Sequence, residues 1–125
     1  CLGMQLMTRA SAEGSRPGLG WIDAEARRFQ PSAAAPKVPH MGWSEVEAMR
    51  ASPLTDGMPP EPRFYFVHSY YIQCAEPQDV LLRGRYGIDF HAGFQHGNIF
   101  GVQFHPEKSH KFGMQLLRNF ADRCV

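Results

Sequence analysis

Cysteine is scarce in this chain: three residues in 125, an odd number, widely spaced and without a Cys-x-x-Cys pair. That fits free thiols in a reducing compartment better than a disulfide framework. No apolar run is long enough to span a membrane, and no segment has the charged, apolar, small order of a secretory leader. Lys and Arg are scattered and the formal net charge is +1, so there is no electrostatic footprint for nucleic acid. His40, His68, His91, His96 and His110 show no ligand spacing with nearby Cys or carboxylates, which argues against a metal site. There is no internal repeat. What remains is a composition ordinary for a globular protein, 43% hydrophobic and 20% charged, at a length suited to one small domain. Cys74 and Cys124 read as small apolar residues.

Periodicity predicts a mixed α/β chain. Leu2, Leu6 and Ala10 share one helical face, so a helix is expected over Leu2 to Ala12, broken by the Gly and Pro of residues 14–18. Ile22, Ala24 and Ala26 alternate with Trp21, Asp23 and Glu25 in a weak strand between Leu19 and Phe29. Residues 30–39 and 49–62 are rich in proline and read as irregular connections. Arg63 to Ile72, dense in aromatic and β-branched residues, is the strongest strand. Val80 to Tyr86 is another. Phe90–Phe94 and Asn98–Phe104 flank Gln95-His96-Gly97, read as a hairpin turn. Ser109 is placed to N-cap a last helix with Phe112, Leu116 and Phe120 on one face and Leu117 beside them.

Two stretches carry chemistry. At the carboxyl end of a strand through Phe100–Phe104 stand His105, Pro106 and Glu107. Residues two apart in extended chain face the same way, and Pro106 biases His105 to that conformation. The carboxylate can therefore hold the imidazole in one tautomer and support its charged form. Cys1 stands immediately before a predicted helix, where the macrodipole and unpaired N–H groups stabilise a thiolate. The N–H of Leu2 is placed for an oxyanion, and Gln5, one turn on, shares the face of Cys1. By residue type alone, Ser69 and Tyr70 are strand-end packing, and Met41 and Trp43 are equally core or interface.

Cys1-Leu2-Gly3-Met4-Gln5 resembles the end of the G-x-C-x-G-x-Q elbow of class I (triad) glutamine amidotransferases, and Gly101-Val102-Gln103-Phe104-His105-Pro106-Glu107 resembles their second motif. Pro39-His40-Met41-Gly42-Trp43 and Phe64-Tyr65-Phe66-Val67-His68-Ser69-Tyr70 are similar to the glutaminase (HisH-type) subunits of imidazole glycerol phosphate synthase. The resemblance implies a flavodoxin-like open sheet with flanking helices and a Cys1–His105–Glu107 triad that hydrolyses glutamine to glutamate and ammonia. It implies an oxyanion donor at the backbone of Leu2 and substrate contacts at Gln5, Ser69 and Tyr70. It also implies a heterodimer with a HisF-type cyclase, a β/α barrel that takes the ammonia for histidine biosynthesis, with Met41 and Trp43 at that interface. No metal or organic cofactor is implied, and a cytoplasmic location is expected.

The family pattern places a half-domain, with a Gly-rich loop and the strand feeding the elbow, ahead of the cysteine. Residues 1–125 are therefore expected to be a partial amidotransferase domain with its N-terminal half missing, not competent as a glutaminase by themselves. Three other readings stay open: a paralogous glutaminase feeding a sugar amidotransferase, an N-terminal-nucleophile hydrolase using the α-amine of Cys1, and a non-catalytic docking subunit.

Overall fold

A computed structural model describes residues 1–124. Along the chain run α1 (Leu2–Leu6), β1 (Ala10–Ser11), β2 (Ala24–Arg28), β3 (His40–Glu45), β4 (Glu47–Ala48), β5 (Arg63–His68), β6 (Tyr70–Cys74), β7 (Val80–Tyr86), β8 (Ile88–His96), β9 (Ile99–Val102) and α2 (His110–Arg123). Single 3₁₀ turns lie at Pro53–Thr55, Pro77–Asp79 and Pro106–Lys108. Each opens on a proline, whose fixed φ suits a first helical position that needs no N–H.

The strands form an open mixed sheet in the order β1-β2-β6-β8-β7-β4, with β9 also paired to β8, and a separate two-stranded ribbon of β3 and β5. Helices flank it, as expected. β1 and β2 are parallel and the remaining pairs antiparallel. Tight connections explain this: β7 returns as β8 through Gly87 (φ +74°) and β8 as β9 past Gly97 (φ +60°), whereas parallel neighbours need long crossovers. The second turn therefore falls at Gly97–Asn98, later than expected, and β8 extends through Gln95 and His96.

Two apolar clusters form the core. One gathers Phe64, Phe66, Leu81, Phe90, Phe104, Phe112 and Leu116, with Phe64 and Phe104 stacked 3.8 Å apart. The other gathers Met4, Ile22, Ala24, Ala26, Ile72, Cys74 and Phe94. The alternation expected for residues 21–26 holds, with Ile22, Ala24 and Ala26 buried and Trp21 exposed. Cys74 is a core residue, its thiol pushed up to about 12 by burial and, less strongly, by Asp79 and Asp23.

Four further expectations need correction. The first helix stops at Leu6, not Ala12, because the returning loop takes its carbonyls: Leu19 N–H donates to Leu6 O (2.9 Å) and Trp21 N–H to Met7 O (2.9 Å). Gly18 is needed in that loop, since a Cβ there would overlap the Thr8 carbonyl. The strand expected over 63–72 is two strands in two sheets, β5 on β3 and β6 on β2, joined at Ser69. Ser69 O accepts from Phe29 N–H (3.0 Å), so the join is fixed by the segment after β2. Ser109 precedes α2 but its hydroxyl does not cap it; it donates to His105 O (2.6 Å) and accepts from Tyr65 N–H (2.9 Å). Finally, α2 buries Phe112 and Leu116, while Leu117 and Phe120 face outward at 43% and 53% exposure.

Candidate active site

The sulfur of Cys1 sits where α1, β5 and β9 converge. Cys1 is the N-cap of α1, and its backbone nitrogen donates to Val102 O, the last residue of β9, across 3.2 Å. Its Sγ lies 4.0 Å from Val67 O on β5 and accepts from Gln103 Nε2 at 3.1 Å. Leu2 begins the helix and is exposed, so its N–H belongs to the first turn, whose donors have no partner within the helix. Gln5 closes that turn, its N–H donating to Cys1 O at 3.2 Å. Its side chain is buried rather than superficial, donating to Tyr70 O (3.5 Å) and Gln103 Oε1 (3.4 Å).

Beyond β9 the chain turns through Pro106–Lys108. His105 Nδ1 meets Glu107 Oε1 at 2.8 Å. A carboxylate only accepts, so Nδ1 carries the proton and Nε2 keeps its lone pair. The ring is one-quarter exposed and the carboxylate more than half. Burial pushes the Glu107 carboxyl up, but its own backbone N–H, the His105 ring and Lys108 together outweigh this and hold it below the usual carboxylate range. The backbone of His105 is pinned on both sides: its N–H donates to Tyr65 O (3.0 Å) and its carbonyl accepts from Ser109. Gly113 lets α2 pack down on this turn, since a Cβ there would overlap Pro106 O. Among the described residues Sγ and His105 share no direct hydrogen bond; catalytic contacts of this kind often tighten only with substrate.

Ser69 lies at the join between the sheets, and Tyr70 begins β6. The backbone of Tyr70 reaches the site through Gln5, while its ring lies 5.8 Å from the Arg28 guanidinium carbon. Met41 and Trp43 are on the outer face of the ribbon, 62% and 47% exposed, so neither is core. Trp43 packs edge-on against Tyr65 and His110, at 6.2 and 5.3 Å. These two residues lie on β3, apart from the Cys1 cluster, but Met41 pairs with Val67 of β5, whose carbonyl faces the sulfur.

Two features escaped the sequence reading. Gln103 lies inside a motif singled out for its histidine, yet it is completely buried and bonded to the sulfur. The other is a buried chain of hydrogen bonds. His68 Nδ1 meets Tyr70 O at 2.8 Å, His68 Nε2 meets His40 Nδ1 at 2.9 Å, and His40 Nε2 meets Ser44 Oγ at 2.9 Å. The carbonyl can only accept, so for neutral rings every proton in the chain is assigned. Ser44 donates to His40, His40 to His68, and His68 to Tyr70. Burial lowers both histidines to about 4, with the remaining effects on His68 smaller. The only advance signal was that His40 and His68 stand inside the two stretches singled out for their likeness to HisH-type subunits.

No three His, Cys, Asp or Glu side chains among the described residues are gathered as a metal ion would require. No helix of the described residues is long and apolar enough to cross a membrane.

Comparison with known proteins gives this geometry a context. The family described as "Glutamine amidotransferase class-I" matches residues 1–124. The "Imidazole glycerol phosphate synthase subunit HisH 2" of Pseudomonas aeruginosa is 51% identical over 122 residues, covering 98% of this chain and 60% of that protein. The "Imidazole glycerol phosphate synthase subunit HisH" of Bdellovibrio bacteriovorus is 44% identical over 98% of this chain and 61% of its own length. The chain thus spans about 60% of the length of the curated relatives it matches. Among solved structures, a Thermoplasma acidophilum protein described as a "putative gmp synthase subunit a protein" superposes with a TM-score of 0.63 at 26% identity, over 82% of this chain and 49% of that one.

Proposed function

This chain belongs to the class I glutamine amidotransferase family, and from that premise we propose that it forms the triad-bearing part of a glutaminase of the HisH kind. Cys1 is the nucleophile. Its thiolate attacks the side-chain carboxamide carbon of glutamine, and the oxyanion that forms is met by the Leu2 N–H. His105, holding the thiol proton, passes it to the departing ammonia; it then takes a proton from the water that hydrolyses the γ-glutamyl thioester, releasing glutamate. Glu107 keeps His105 in the tautomer whose Nε2 faces the reaction. Gln5, Ser69 and Tyr70 hold the substrate. The ammonia passes to a cyclase partner of the HisF kind, a β/α barrel that builds imidazole glycerol phosphate, docked over the ribbon face that carries Met41 and Trp43. The protein works in the cytoplasm and residues 1–125 form part of one amidotransferase domain.

The observation that carries this reading is the His105–Glu107 pair at 2.8 Å, two residues along the chain from Gln103, whose side chain hydrogen-bonds a cysteine at a helix start. The identities to proteins named as HisH subunits support the choice of acceptor. The test is glutamine hydrolysis by the intact protein with and without a HisF-type cyclase, for the parent and for Cys1→Ser. Loss of hydrolysis in the variant and stimulation of the parent by the cyclase are expected. Persisting hydrolysis in Cys1→Ser overturns the nucleophile. A parent that ignores the cyclase but amidates a sugar acceptor overturns the partner.

A further inference from the structure

We infer that Gln103 is a further catalytic side chain of this site: its carboxamide N–H supports the sulfur anion of Cys1, and Gln5 holds that carboxamide in the orientation that does so. The inference rests on the reading of Cys1 as nucleophile and adds a group to it.

Gln103 follows β9 directly and is wholly inaccessible to solvent. A carboxamide taken out of water without partners is destabilising, and an apolar residue would fill the same space without that cost. Its partners are therefore informative. Tyr70 O can only accept, so the Gln5 end that faces it is the amide nitrogen, at 3.5 Å. That same nitrogen lies 3.4 Å from the Gln103 side chain and needs an acceptor there, which fixes Oε1 of Gln103 on that side. Nε2 is then left facing the sulfur at 3.1 Å. Reversing the Gln103 amide would set donor against donor at Gln5 and leave the sulfur without an N–H.

An N–H donor bonds an anion more strongly than a neutral thiol, so the contact favours the thiolate. It also leaves the thiol proton free to go to His105. The charged groups near this end of the chain are the α-amine of Cys1, which burial lowers and Glu107 raises, and His68 at the end of β5, which the α-amine and His105 also affect. None of them replaces a neutral donor that is present at every pH.

Gln103→Glu tests this, because it keeps an oxygen for Gln5 and exchanges the donor for an acceptor. The measurement is the pH dependence of Cys1 alkylation by iodoacetamide in the intact protein, read by peptide mass spectrometry so that Cys74 and Cys124 are scored separately. The expected result is a thiol midpoint raised by about one pH unit or more, which is about tenfold slower alkylation at pH 7. Glutamine turnover falls in parallel and recovers as pH rises, which a purely structural defect would not produce. Gln103→Met, without donor or charge, gives the same direction if the first variant is unstable. Gln5→Leu, which frees the Gln103 amide to rotate, gives a smaller shift of the same sign. A midpoint unchanged or lowered in the variants that fold overturns the inference. If Cys1→Ser is inactive while those midpoints stay at the parent value, only the role of Gln103 falls. If Cys1→Ser retains turnover, the nucleophile reading falls first.

Discussion

His105 meets Glu107 across 2.8 Å at the surface, and His40 meets His68 across 2.9 Å in the interior. The two pairs are similar in length and opposite in design. The outer pair joins a base to an anion, so its ring can take a proton and remain compensated. The inner pair joins two neutral rings between a hydroxyl and a carbonyl, with one proton in each link. An added proton there would put two donors face to face in a region packed by Phe29, Phe66 and Phe90. One pair is made for changing charge, the other for never having it.

Substitutions break this comparison in a graded way. His105→Ala is expected to lower glutamine hydrolysis by about 10²–10⁴-fold, the scale of a lost general acid–base group, while the urea midpoint stays with the parent. A large loss of stability would show that the outer pair is structural after all. His68→Leu should do the reverse in kind. It leaves the buried His40 N–H without a partner and Tyr70 O with only its longer bond from Gln5, at a cost of about 1–3 kcal/mol of unfolding free energy; an unchanged urea midpoint would contradict the buried chain. Glu107→Gln is expected to slow turnover by about 10–100-fold, less than for an enclosed carboxylate because this one is mostly solvated. A wild-type rate would remove Glu107 from the triad.

The smaller effects sharpen the inner half. His40 and His68 have folded-state values near 4 against 6.5 in the unfolded chain. The unfolded chain therefore binds more protons between these limits. Stability is fully present above pH 6.5 and declines as pH falls toward 4. Urea unfolding across this window should show the decline, and His68→Leu should flatten it; equal slopes in both proteins would refute neutral burial. Ser44→Ala removes the terminal donor alone, and about 1 kcal/mol is expected from the same measurement.

Much of the outer pair was legible in the sequence, and little of the inner one. His105 and Glu107 are two apart around a proline, so local geometry brings them together. His40 and His68 are far apart in sequence and meet through the β3–β5 register, which pairs them directly. The same distinction separates Cys1, readable from its place before a helix, from Gln103, whose contact with it is purely tertiary. Strand content was readable from the aromatic and β-branched run at 63–72, but its division was not. No residue type marks the join at Ser69; a hydrogen bond from Phe29 makes it. The overlong helix failed for a related reason, since the loop that ends it returns from residues 18–22.

That division of one run into two strands also has a mechanical side. The ribbon bearing Met41 and Trp43 and the sheet bearing Tyr70 are successive parts of one covalent strand, with a single residue between them. The torsional slack at that point is one φ and one ψ, and the Phe29 bond spans it. A load applied to the outer face of the ribbon meets no compliant linker before it reaches the backbone that holds Gln5. Covalently, the whole path between the two surfaces narrows to Ser69.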